Sequence, residues 1–304
     1  MRWFLRLAVL CSMTLSPTAS VGLTYDISFD DPGATNAAFY TEIQSNLGAA
    51  FAEWSRFFAS NASLEAEVTF TSATPRAASA SATTSPVGVH NGLTVGQVGA
   101  AYEIRTGIDP NGSAPDIRVF LNPAYVANQL WFDPDPAART ALVPLDKTDA
   151  YSVMIHELAH AFGFSGFRDI LSGHPTVSGF ESAYDALTTP GTTNPAFIGA
   201  GAEAVYGGPV PLTFFPAADP RSSQNIYHLG NVPPGAGQDL ASDLMNGIAF
   251  VNGSRYTVSL LDVAILADTG IPVAAIPQPT TLMLIAGTLV AVHWRRRRRT
   301  TLLV

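Results

Sequence analysis

The stretch AYSVMIHELAHAFGFSG, residues 150–166, sets two histidines four positions apart around a glutamate and then turns at a glycine. At the helical period, Tyr151, Met154, Ile155, Leu158 and Phe162 fall on one apolar stripe that anchors a helix to a core. His156 and His160 project together from another face, so both imidazoles can reach one ion, with Glu157 alongside. Two neutral nitrogens so placed bind Zn²⁺, and the neighbouring carboxylate accepts a proton from water that the ion acidifies. Gly163 supplies the stop.

A catalytic zinc takes three protein ligands and keeps one position open. The candidates for the third are His90, Asp169, His174, Glu181 and His228. The sole cysteine is Cys11, so thiolate ligation and disulfides are not expected in the folded part. Glu181, with Asp185 four positions on, approximates the Glu-x-x-x-Asp helix of thermolysin-like gluzincins, although SGFESAYDALTTP (178–190) is weakly helical. His90 and His174 sit in loop-like sequence. His228 lies in SSQNIYHLGN (222–231), and 17 positions later Met245 stands within SDLMNG (242–247).

The set His156-Glu157-x-x-His160-x-x-Gly163-Phe164, a long insertion, His228 and then Leu244-Met245 resembles the metzincins of the leishmanolysin type. The resemblance spans roughly residues 145–270. It implies His156, His160 and His228 as zinc ligands, Glu157 as general base, Gly163 as the turn beneath the metal, and Met245 as a hydrophobic floor. It also implies a substrate bound in extended form along an edge strand above the helix. By order along the chain, DIRVFLN (116–122) is expected to be that strand, and residues 199–215 the opposite wall or packing.

The expected fold is α+β: a metzincin-like zincin with a mixed β-sheet and the active-site helix in an N-terminal subdomain, 21–165, and an irregular, helical C-terminal subdomain, 166–275. Leu23, Tyr25, Ile27 and Phe29 alternate as a half-buried strand, Phe39 to Phe58 repeat at helical spacing, and Leu64, Ala66, Val68 and Phe70 alternate again. Residues 71–88, small and unpatterned, read as a surface loop. Residues 170–240 read as a long structured insertion. Ser259 and Asp262 start a closing helix that Gly270 stops, and the folded part is expected to end near Val273.

The two ends have their own signals. Residues 1–20 carry Arg2 and Arg6, an apolar run and then small residues, the layout of a secretory signal peptide. From Thr280 to Trp294 runs an apolar segment followed by Arg295 to Arg299. Fifteen helical residues cover about 22 Å, less than the roughly 30 Å hydrocarbon core, so crossing requires local thinning. With Pro277-Gln278-Pro279 ahead of it, segment 276–304 resembles the PEP-CTERM sorting signals of bacterial envelope proteins. That resemblance implies export to the cell envelope or beyond, transient membrane anchoring by the tail, and a sorting protease that removes it.

Between the ends, 9 basic residues face 24 acidic ones, a net charge of −15, which disfavours nucleic acid as a partner. The leading expectation is therefore an exported zinc endopeptidase acting on protein or peptide. The alternatives are a zinc-binding surface-matrix or adhesive protein without turnover, and a gluzincin-type peptidase with Glu181 as third ligand.

Overall fold

The computed structural model describes residues 22–81, 83–169, 176–189, 195–213, 225–230, 238–247 and 250–274. The leader, His174 and the tail from 276 onward lie outside them. Among the described residues, no helix is long and apolar enough to cross a membrane.

The fold is mixed α+β. Strand β1 (Thr24–Asp30) leads through a 3-10 turn into α1 (Tyr40–Ser55) and then β2 (Ser63–Phe70). β1 and β2 pair in parallel, as strands joined by a helical crossover do. Leu64, Ala66 and Val68 of β2 point into the core, and α1 buries Ile43, Leu47, Phe51 and Trp54 against it. β3 (Ala77–Ser81) is followed by β4 (Thr84–His90), β5 (Leu93–Val98), α2 (Gly99–Thr106), β6 (Ile117–Leu121), α3 (Pro123–Asn128), and the short β7 (Leu130–Trp131) and β8 (Thr148–Asp149). The main sheet has the order β1-β2-β6-β3, with β3 alone antiparallel to its neighbour.

Two expectations are corrected here. Residues 71–88 are not a loop: they supply most of β3 and β4. Alanine and serine have little strand propensity of their own, and pairing with β6 overrides it. The sheet edge is accordingly β3, and 117–121 lies inside the sheet between β2 and β3. β4 and β5 form a hairpin whose turn residues Asn91 and Gly92 both have positive φ, 49° and 81°, the backbone that an Asn-Gly pair favours.

Helix α4 (Ala150–Phe162) runs against α1 and the sheet. Asp149 caps it, accepting from Ser152 N at 3.1 Å, and Gly163 ends it at φ 131°, where a side chain would be strained. All its residues but His160 are buried. The Trp54 indole N–H donates to the Ile155 carbonyl at 2.9 Å, and Phe51, Trp54 and Phe58 meet the Phe162 ring edge-on.

The chain after α4 is built of short pieces: β9 (Phe180–Ser182) beside β5, α5 (Ala200–Tyr206), 3-10 turns, and α6 (Leu260–Asp268). α6 opens with a reciprocal capping box between Ser259 and Asp262. The described chain closes on the segment just after α1, with Ala274 N donating to Phe57 O at 2.7 Å.

The Trp54 hydrogen bond ties α1 to the histidine helix, so Trp54→Phe is expected to lower stability by about 1–2 kcal/mol. The measurement is the urea midpoint at unchanged slope.

Candidate metal centre

His156 and His160, one turn apart on α4, meet His228 from a segment 68 residues further along. Their Nε2 atoms form a nearly equilateral triangle, 3.1 Å between His156 and His160 and 3.2 Å from each to His228. The other ring nitrogens decide the chemistry. His156 Nδ1 lies 2.8 Å from the Leu244 carbonyl and His160 Nδ1 lies 2.7 Å from the Phe164 carbonyl. A carbonyl only accepts, so both Nδ1 atoms carry the proton and both Nε2 atoms present lone pairs. Lone pairs that face each other at 3.1 Å have no proton to share, and a cation between them removes the repulsion.

The dimensions fit zinc. Tetrahedral bonds of about 2.0–2.1 Å set ligand nitrogens roughly 3.3 Å apart, close to the observed spacing. Burial, and then the neighbouring His160, push His156 down to about 3, and burial also lowers His160. Both rings are therefore neutral at ordinary pH, as ligation requires. Imidazoles with Nδ1 bonded to main-chain carbonyls are in the state that metal-ligating histidines adopt.

Local chain geometry explains how His228 arrives. Its carbonyl accepts from Thr213 N at 2.8 Å, Leu229 N donates to Met245 O at 2.7 Å, and Gly247 N donates to Leu229 O at 3.2 Å. Segments 211–213, 228–230 and 244–247 are thus knitted by main-chain bonds. The last of them presents the Leu244 carbonyl to His156, and Met245 beside it is completely buried.

Asp185, which the sequence offers only as the partner of Glu181 in a gluzincin-type helix, instead steers the approach together with Tyr227 and Arg168. Asp185 accepts from the main-chain N–H groups of Phe167 and Ser182, and Tyr227 donates its hydroxyl proton to it at 3.4 Å. The same hydroxyl oxygen accepts from Arg168 N at 2.9 Å. The turn after α4 is thereby bound to the residue immediately before His228. A Cβ on Gly166 would lie 2.3 Å from the Asp185 carboxylate, so the position three after Gly163 has no room for a side chain, let alone a histidine.

Of the remaining candidates, Glu181 is on strand β9, not on a helix. Its carboxylate is held by His90 Nδ1 at 2.6 Å and Arg168 at 3.2 Å. Asp169 lines the cleft in front of the triad, and His174 lies outside the described residues. Within 199–215, α5 docks on α6, where Asp268 accepts from the N–H groups of Gly201 and Ala202. Its described residues do not line the cleft.

Glu157 is buried beside the triangle, and burial pushes its carboxyl up to about 8. Ser79, on edge strand β3, donates its hydroxyl proton to the Glu157 carbonyl. A nearby cation draws such a carboxyl back toward ionisation. A cleft of about 630 Å³ opens on one side of the triad between Ala77–Ser79 and residues 164–169. A smaller one of about 180 Å³, lined by Tyr125, Val153, Asn246 and Phe250, opens on the other.

No family model, curated protein or solved structure matches this chain.

His228→Ala is expected to lower bound zinc from one per chain to well under half. Glu181→Ala, whose carboxylate serves His90 and Arg168, is expected to leave it near one. Elemental analysis of the two purified variants reads the difference.

Proposed function

We propose that the chain is a zinc-dependent endopeptidase with a metzincin-like site: His156, His160 and His228 hold the ion and Glu157 is the general base. The observation that carries this reading is the convergence of three Nε2 atoms from two distant segments, two of them with their lone pairs fixed, beside one buried carboxyl. When bound, Zn²⁺ supplies Lewis acidity that polarises a carbonyl and brings the pKa of water to about 7.

The chain's own residues do the rest. Glu157 takes the proton from the attacking water and hands it to the departing amine, while Ser79 holds the main chain at Glu157 in place. Among the described residues β3 pairs only with β6, so its outer edge can accept an extended peptide as an added strand. Ala77 and Ala78 keep that edge low, and the clefts on both sides of the triad give a polypeptide room to enter and leave. The antiparallel edge strand, the glycine stop after the second histidine, and Met245 in the segment bonded to the third agree with the leishmanolysin-type reading. Export by residues 1–20 and sorting by the 276–304 tail, with transient membrane anchoring there, belong to the same proposal.

Glu157→Gln is expected to keep its zinc and lose at least about 100-fold in peptide hydrolysis. Zinc retention with undiminished cleavage would remove Glu157 from the mechanism. A wild-type chain that binds zinc yet cleaves neither casein nor a peptide library would favour the adhesive alternative.

A further inference from the structure

Away from the histidines, a second group of ligand atoms gathers at the far end of the sheet. Glu103 at the end of α2, Asp109 in the following loop and Asp116 just before β6 bring carboxylate oxygens within 4.8 Å of one another. Glu103 and Asp116 are buried, 4% and 0% exposed. Each uses one oxygen on a main-chain N–H: Glu103 Oε1 accepts from Ser63 at 3.0 Å and Asp116 Oδ2 from Glu65 at 2.9 Å. The other two, Glu103 Oε2 and Asp116 Oδ1, are shielded from water, and no N–H or hydroxyl group donates to either. The side-chain oxygen of Asn111, in the same loop, is in the same condition.

Neighbouring charges make the arrangement costlier. The Glu65 carboxyl is hydrogen-bonded to Asp116, and desolvation, that bond and the Asp116 and Asp109 charges push it up to about 7. Burial, reinforced by Asp116, Asp109 and Glu65, likewise pushes Glu103 up to about 7. No arginine or lysine among the described residues forms an ion pair with any of these four acids. Arg118 pairs with Glu67, and Arg105 lies over the Tyr102 ring. Buried anionic oxygens without counter-charge cost several kcal/mol each, a cost that protons shared among the carboxyls or a bound cation relieve.

We propose that Glu103, Asp109 and Asp116, with Glu65 alongside, bind one calcium ion that clamps the 107–116 loop to the sheet. An all-oxygen, multiply carboxylate donor set selects a hard cation. Calcium bonds of about 2.3–2.6 Å allow ligand oxygens up to about 5 Å apart, whereas magnesium uses one or two carboxylates and keeps its waters. The ion would join β2, α2 and β6 at one point. β6 in turn carries β3, the strand over Glu157, and the Ser81 hydroxyl on β3 donates to the Asp116 carbonyl at 3.1 Å. The clamp therefore stabilises the sheet edge that borders the zinc cleft, without touching the chemistry.

The test uses the zinc-loaded protein, dialysed free of calcium and then titrated with CaCl₂ while its melting temperature is followed. A rise on the order of 5–10 °C is expected at a hundredfold excess over Kd, with one calcium bound per chain by elemental analysis and a much smaller rise in MgCl₂. Asp109→Asn keeps a side-chain oxygen for the Asn111 and Gly112 N–H groups and removes the charge, so it is expected to fold and to weaken calcium binding at least tenfold. Glu103→Gln is expected to do the same from the buried side. A wild-type chain indifferent to calcium, or an Asp109→Asn chain with an undiminished response, overturns the site. An equal response to magnesium overturns its assignment to calcium. Stability is the readout, so the result does not depend on whether the protein hydrolyses peptides.

Discussion

Two hydrogen bonds to main-chain carbonyls, His156 to Leu244 and His160 to Phe164, decide what the histidine helix can do. Each fixes a proton on Nδ1 and leaves an Nε2 lone pair aimed at the same point, where His228 arrives as well. If those carbonyls faced elsewhere, the same residues could share protons among themselves as a polar cluster. The carbonyls come from opposite directions. Phe164 follows the glycine stop of the helix itself, and Leu244 belongs to a segment more than eighty residues away. The local turn and the long-range tether must both form before the site has its donor set.

The surroundings make charge scarce at that point. α4 is buried along almost its whole length, and burial lowers the imidazoles and raises Glu157. An environment of this kind favours neutral ligands and a carboxyl that ionises once a cation is near. The acidic cluster at the other end of the sheet follows the complementary electrostatics, with several carboxylates and no basic partner among the described residues. One group offers nitrogen donors and the other offers oxygen donors, which suit metals of different softness.

Much of the scaffold was legible because it depends on short-range periodicity. The alternation in β1 and β2, the spacing along α1, and the Ser259–Asp262 start of α6 all match the elements observed. β3 was not legible: Ala77 to Ser81 lack the branched and aromatic residues that mark strands, and small side chains are what allow the strand to lie close to Glu157. With β3 missed, 116–122 was mistaken for the edge. The β4–β5 hairpin did leave a signal, since Asn91-Gly92 is a strong turn pair. The strands flanking it have few large apolar residues, so periodicity does not reinforce the turn.

The sequence by itself determined the histidine helix, its glycine stop, and the shared face of His156 and His160 next to Glu157. Those are consequences of 3.6 residues per turn and need no knowledge of the rest of the chain. Only the tertiary structure decided which distant side chain completes the triangle, because loop closure over 68 residues is fixed by main-chain bonds among segments 211–213, 228–230 and 244–247. It also decided that Glu181 belongs to His90 and Arg168, and that Glu65, Glu103, Asp109 and Asp116 share one place. Proximity across a fold is set by packing and pairing, which spacing along a chain does not encode.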